Sequence, residues 1–394
     1  MNPLYFDNNA TTPVAPEVRE AMLPYLGELY GNPSSMHTFG GQLHRKIEEA
    51  RAKVAQLIGA DPEEIIFASC GTESDNTAIM SAVESFPQKR HIVTTRVEHP
   101  AVLNFCKHLA RKGYRVSFLP VNSKGQLNTD ELLRILDDDT AVVSVMYANN
   151  EVGNIFPVRE IGEILREKRI LFHTDAVQAV GKVPINIKEL PVDMLSLSGH
   201  KLHAPKGIGA LYVRKGTRFS PYIIGGHQEK GRRGGTENVA SIVALGMACE
   251  LAARNLTEEV AYLRRLRDRL EEMLVQSCPD ARVNGDVSSR LPNTTNISFE
   301  YVEGEAILLR LNEYGVCASS GSACTSGSLE PSHVLRAMGV PFTAIHGSVR
   351  FSLSRYNTEE EVDRVIGVMP DIIKSLRQLS PFGRDKAGQT ISCS

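Results

Sequence analysis

SLSGHKLHAPKGIG, residues 196–209, carries on from the apolar alternation VDMLSLS and sets two lysines, two histidines and two serines among small residues. Open α/β sheets gather ligands where strands end. Lys201 therefore has two readings, a solvated cation past a strand or a lysine held inside a site for chemistry, and the flanking sequence has to choose between them. EEIIFAS and HIVTTRV read as strands with the helical pattern ESDNTAIMSAVESF between them, and AVLNFCKHLARKG leads on to RVSFLPV. The alternation continues through AVVSVMYA, VREIGEILREK, ILFHTDA, VDMLSLS and GIGALYVRK. Repeated strand–helix–strand units of this kind specify an α/β domain built on a mostly parallel sheet.

Beyond about residue 255 the texture changes to a long charged helix, TEEVAYLRRLRDRLEEMLVQ, then a short strand TNISFEY and an apolar helix EGEAILLRLNEYG. This reads as a smaller α+β domain, joined by the N-terminal segment. The expected division is 15–257 for the large domain and 1–14 with 258–381 for the small one, with the polar tail 382–394 disordered. A chain of 394 residues with 42% hydrophobic content can bury a core of enzyme size. Its net charge of −2, with both signs interspersed, gives no electrostatic footprint for nucleic acid or an anionic membrane. Neither a leader nor a membrane span is expected: the start MNPLYFDNNATT is not basic-then-apolar, and Glu250 interrupts the most apolar stretch, ASIVALGMACELAA. Seven cysteines without a C-x-x-C pair argue against a disulfide framework or a structural zinc site and for a reducing cytoplasm. No metal is expected.

Each strand end carries a polar group. Gly71 and Thr72 in SCGTESDN could cradle a phosphate at a helix N-terminus or simply form an N-cap. His99 in VEHPAV, Asn150 in YANNEVG, Asp175 and Gln178 in FHTDAVQAVG, and Ser198, His200 and Lys201 in the opening stretch each have an ordinary turn or cap reading as well. Taken singly, none of them decides the function.

Their order does. A phosphate turn, an imidazole, an amide, an aspartate and a lysine in SGHK resemble the fold-type-I enzymes that use pyridoxal 5′-phosphate. YFDNNATTP, GNPSSMH, GTESDN, EHPAV, NNEVG, HTDAVQ, SGHK, RGGTEN, SSGSACTSG and SVRFSLSR together resemble the cysteine desulfurases of the class V aminotransferase family. The resemblance implies a mostly parallel seven-stranded sheet in the large domain. It implies that Lys201 binds the cofactor covalently and then acts as base, that Asp175 pairs with the pyridine nitrogen, and that Gln178 donates to the ring oxygen. By the same resemblance Asn150 contacts cofactor and substrate, His99 stacks on the ring and serves in proton transfer, and Arg350 grips the substrate carboxylate. Gly71, Thr72, Ser198 and His200 would hold the phosphate, joined by Thr236 from a second subunit, which implies a homodimer.

Cys324, within the small-residue run CASSGSACTSGSLEPS, resembles the family's sulfur-accepting thiol, and that run reads as a mobile loop. L-cysteine would become L-alanine, with a persulfide left on Cys324 for an iron–sulfur scaffold or another acceptor protein. Cys317, beside a helix, reads as packed in the core, and Cys70, Cys106, Cys249 and Cys278 read as structural. The short tail tilts the resemblance toward enzymes dedicated to nitrogenase rather than general housekeeping ones. Two rivals stand beside this reading: another fold-type-I enzyme, such as a selenocysteine lyase or an aminotransferase, and a non-catalytic sulfur carrier.

Overall fold

A computed structural model of the chain describes residues 3–320 and 331–380. The chain opens with β1 (Leu4–Tyr5), α1 (Pro16–Met22) and α2 (Thr38–Ile58), then alternates through β2 (Ile65–Ala68), α3 (Gly71–Ser85), β3 (His91–Thr95), α4 (Pro100–Arg111), β4 (Arg115–Leu119) and α5 (Thr129–Ile135). It continues with β5 (Thr140–Ser144), α6 (Val158–Lys168), β6 (Leu171–Asp175), β7 (Met194–Ser198) and β8 (Gly209–Val213). Every residue of β2, β3, β5, β7 and β8 is buried, the signature of strands covered on both faces. With β4 and β6 they form one seven-stranded sheet in the order β2-β8-β7-β6-β5-β3-β4, in which only β8 runs against its neighbours. This is the mostly parallel α/β sheet expected. It brings the C-terminal ends of β3, β5, β6 and β7 to one edge.

The apolar stretch after residue 238 and the charged pattern after 256 are one continuous helix, α7 (Val239–Ser277). Its apolar half packs into the core of the sheet domain through Ile242, Leu245, Ala248 and Ala252. At Gly246 a Cβ would come within 2.7 Å of Ala50 on α2, so the small side chain sets the close approach of these two helices. The second half of α7 contributes Leu263, Leu266, Leu270 and Leu274 to a separate core. That core is completed by β9 (Ala281–Val283), β10 (Thr294–Phe299), α8 (Gly304–Glu313), β11 (Val316–Cys317), β12 (Ser348–Ser352) and α11 (Glu359–Leu379), whereas the short helices α9 (His333–Ala337) and α10 (Phe342–Ile345) give Val334, Leu335 and Ile345 to the first core. β9, β10 and β12 form an antiparallel sheet, and β1 pairs with β11. Cys317 thus lies on a two-residue strand and is half-buried, not packed into the core.

Under the sheet edge, Arg51 of α2 and Glu229 form a buried two-pronged pair at 2.7 and 2.8 Å. Arg51 also donates to the Ile65 carbonyl and Glu229 accepts from the Phe67 amide, so both charges are satisfied within the protein and pin β2. Truncating one partner leaves the other charged and buried. Glu229→Ala is expected to lower stability by about 3–5 kcal/mol in urea unfolding; a midpoint equal to that of the parent would show that the pair is not a structural tie.

Candidate active site

The strand ends described above open into a cavity of about 300 Å³. Gly71, Thr72, His99, Asn150, Asp175, Gln178, Ser198, His200, Lys201 and Arg350 all line it, ten residues brought together from six separate segments. Thr236 does not. It is exposed, beside a second cavity that also borders Arg233 and Gly207. Cys324 lies outside the described residues.

Local geometry explains how the segments converge. At Gly71 the first turn of α3 passes so close to the loop after β6 that a Cβ would meet Val177 at 2.8 Å. At Gly199 a Cβ would meet Ile208 at 2.8 Å, so glycine lets the chain turn sharply out of β7 and carry Lys201 back over the sheet edge. Asp175 ends β6 with one carboxylate oxygen accepting from Val177 N at 2.9 Å. His99 caps α4 by accepting from Ala101 N at Nδ1, 3.2 Å away, which leaves Nε2 as its N–H.

A strap that follows β1, on the side of the second core, closes the site. Asp7 to Thr12 run beside Ser352 and then over Lys201: Asn9 N donates to Ser352 Oγ and its side chain to the carbonyl of Asn150. The Asn9 carbonyl in turn accepts from Lys201 Nζ at 2.6 Å and Gln178 Nε2 at 2.9 Å. Arg350, in the middle of β12, reaches the Asn150 carbonyl at 3.1 Å and Asp7 at 2.6 Å. Its Nε is buried without a partner among the described residues.

The lining carries two kinds of polar group. Gly71, Thr72, Ser198 and His200 stand beside the N-terminus of α3, and Ser198 Oγ is a buried hydroxyl that no described residue satisfies. Asp75 and Asp175 are the acidic lining residues. Asp175 is raised to about 6, chiefly by burial, against the opposing Val177 hydrogen bond and the nearby Lys201. Asp75, in the second turn of α3, is pushed well above the usual carboxylate range by burial and by Asp175. Its Oδ1 lies 3.5 Å from Nε2 of His173, whose ring nitrogens also meet Ser144 and Ser196 at 2.9 Å. Burial lowers that imidazole to about 3, so it brings no compensating charge. His99 and His200 are both lowered to about 4 by burial and by Lys201, and are neutral at pH 7.

The strand-end reading missed several groups. Asn9 and Asp7 precede any strong strand pattern, and Asp75, His173 and Lys182 resemble ordinary helix or strand polar residues until the fold brings them inward. Cys70, read as structural, lines the cavity. Glu98 is fully buried beside His99 and accepts from Thr95 Oγ1 and Met146 N through Oε1, while Oε2 has no partner among the described residues.

The same burial raises Glu98 to about 8. In the unfolded chain this carboxyl ionises near 4.5, so between those pH values folding must carry a proton uptake or an unfavourable buried charge. Stability from this group is full below pH 4.5 and is lost as pH rises through 8. Glu98→Gln should therefore gain on the parent as pH rises, with a larger difference in melting temperature at pH 9 than at pH 5. An equal difference at the two pH values would refute an ionising Glu98.

The class V aminotransferase family profile matches residues 4–365. A cysteine desulfurase of a Nostoc species is 63% identical over 388 residues, covering 98% of this chain and 97% of that protein. Cysteine desulfurase NifS of Azotobacter vinelandii is 57% identical over 383 residues, covering 97% and 95%. A solved NifS-like protein superposes with a TM-score of 0.89 at 42% identity, covering 95% of this chain and all of the other. The parallel sheet, the convergent strand ends and these likenesses over nearly the whole length have one conclusion: the chain belongs to the class V aminotransferase family, among its cysteine desulfurases.

Proposed function

We propose that this cavity binds pyridoxal 5′-phosphate and L-cysteine, and that the chain converts L-cysteine to L-alanine while moving the sulfur to Cys324. The observation that carries the reading is one cavity lined both by Gly71, Thr72, Ser198 and His200 and by Asp75 and Asp175, with Lys201 in its wall. Ser198 Oγ, which no described residue satisfies, and the N-terminus of α3 suit a phosphate. Asp175 suits a protonated ring nitrogen: a cation beside it would draw that carboxyl back to its ionised form. When bound, the cofactor supplies the electron sink that makes the amino acid's Cα–H acidic.

Within this reading Lys201 ties the cofactor down and, once released, takes the Cα proton. The neutral His99 would help hold the cofactor from the cavity wall, with Nε2–H available to the substrate thiol. Gln178 and Asn150 orient cofactor and substrate by their amides. Arg350 takes the substrate carboxylate, since its guanidinium is already aimed by Asp7 and the Asn150 carbonyl and its Nε has no partner among the described residues. The Cys324 thiolate takes the sulfur: the S–S bond forms as Cβ–S breaks, and Cβ gains a proton to become the methyl group of alanine. The persulfide then passes to an iron–sulfur scaffold or a similar acceptor, with nitrogenase supply the favoured destination because the A. vinelandii relative is named NifS.

We further place the enzyme in the cytoplasm as a homodimer in which the partner's Thr236 completes the phosphate end. In support, the Thr236 segment is exposed and is braced by Gly234 N on the Ile223 carbonyl, beside an Ile224 that is 87% exposed.

The test is to supply L-cysteine with a thiol reductant and measure alanine and sulfide together. Equal yields are expected from the parent and a near-complete loss of both from Cys324→Ala; alanine formation at the parental rate in that variant would exclude the sulfur-transfer reading. Arg350→Ala should raise KM for L-cysteine by about 30-fold or more, since a buried charged hydrogen bond worth about 2 kcal/mol or more is lost. An unchanged KM would assign Arg350 to the strap alone.

A further inference from the structure

Behind the cavity wall lies a buried lysine that the proposed chemistry leaves without a role. Lys182 is 8% exposed, in the turn after β6, and its Nζ donates to Gln178 Oε1 at 2.8 Å. The same amide donates from Nε2 to the Asn9 carbonyl, which also accepts from Lys201 Nζ. A single hydrogen-bonded line thus runs from Lys182 through the Gln178 amide to the Asn9 carbonyl and Lys201. A small void on the far side of Lys201 is bordered by Lys182, Thr12, Glu259 and Arg355. Glu259 is bound to Arg355 at 2.9 Å, so its charge is already engaged.

A lysine is a costly choice for a mere packing role here. Burying an ammonium requires partners, and the side-chain partner given to this one is a neutral amide oxygen. The arrangement has a definite consequence for Gln178. With Oε1 held by an ammonium, the amide cannot turn over without setting its NH2 group against Lys182. Nε2 has two hydrogens; one goes to Asn9 and the other remains for the cavity that Gln178 lines. A cation on the oxygen also polarises the amide and strengthens that remaining donor.

We propose that Lys182 is a positioning residue that acts through Gln178, holding and polarising its amide so that Nε2 is a strong, fixed donor to the oxygen substituent of a bound pyridoxal ring. This rests on the cofactor reading above. The titratable and charged groups that face Lys182 are His200, Lys201 and His203 beyond β7, Glu259 on α7, and Arg350 and Arg355 on and after β12. Burial, then Lys201 and Arg350, lower it to about 7, while Glu259 opposes them. Its charge therefore depends on what Lys201 carries: when Lys201 is no longer an ammonium, the repulsion falls and Lys182 becomes the better cation.

A stronger donor favours the anionic ring oxygen, so the wild-type cofactor should ionise at lower pH than one facing a loose amide. The experiment is a substrate-free pH titration of cofactor absorbance in holoenzyme, carried out as a double-mutant cycle. Lys182→Met should raise the midpoint by about 0.5–1 unit. Lys182→Arg, which keeps a cationic donor, should stay near the parent. In a Gln178→Leu background, Lys182→Met should add almost nothing, because the route it uses is gone. If Lys182→Met does not retain cofactor, Lys182→Gln takes its place in the cycle. A wild type without cofactor absorbance overturns the reading of the site and this inference with it. With the wild-type absorbance in place, an unmoved midpoint, an equal shift in the Arg variant, or full additivity with Gln178→Leu overturns the inference alone.

Discussion

One backbone carbonyl, that of Asn9, ties the site together. It accepts from Lys201 Nζ and from Gln178 Nε2, and it belongs to a segment bonded through Asn9 and Asn8 to Ser352 and through Asp7 to Arg350. Lys201 and Gln178 come from the large sheet, whereas Asp7 to Thr12 follow β1, which pairs with β11 of the smaller unit. The hydrogen bonds of this short strap therefore decide where a lysine from one core sits relative to an arginine from the other. α7, continuous through both cores, makes the same connection by packing. A site that depends on groups from two cores needs both the rigid helix and the polar strap.

The charges of the cavity follow from burial more than from pairing. Asp75, Asp175 and Glu98 are all raised and His99, His173 and His200 all lowered, with burial the leading cause in each case. The protein thus keeps neutral imidazoles and reluctant carboxylates around a space whose strong charges are Lys201 and Arg350. Such a site has the least favourable electrostatics when empty and gains most from a ligand that is anionic at one end and cationic at the other. The stability stored in the two cores and in pairs such as Arg51 with Glu229 is what holds these groups in place against their preference for water.

Much of this was legible in the sequence because strand ends are punctuated. SGHK, HTDAVQ, GTESDN and EHPAV each follow an apolar strand pattern, and the parallel sheet brings such ends to one edge by topology alone. The α/β alternation was readable for the same reason: buried strands are short apolar runs, and helices between them show the 3.6 period. What could not be read was long-range. Asn9 acts through its backbone carbonyl, which has no sequence signature, and Lys182 looks like a solvated lysine until its neighbours are known. The continuity of α7 was hidden because its halves face different surroundings, one apolar and one charged, so the composition changes where the helix does not. Cys317 sits next to a helix in sequence and on a strand edge in space.

The central claim is that Lys201, held under the Asn9 carbonyl, is the lysine that binds the cofactor, and that Lys182, joined to it through the Gln178 amide and the Asn9 carbonyl, is not. Borohydride reduction of the purified protein with its cofactor, followed by digestion and mass spectrometry, separates the two directly. The account predicts a single reduced pyridoxyl adduct, on the peptide containing Lys201. An adduct on Lys182, or on any other lysine in place of Lys201, would contradict it.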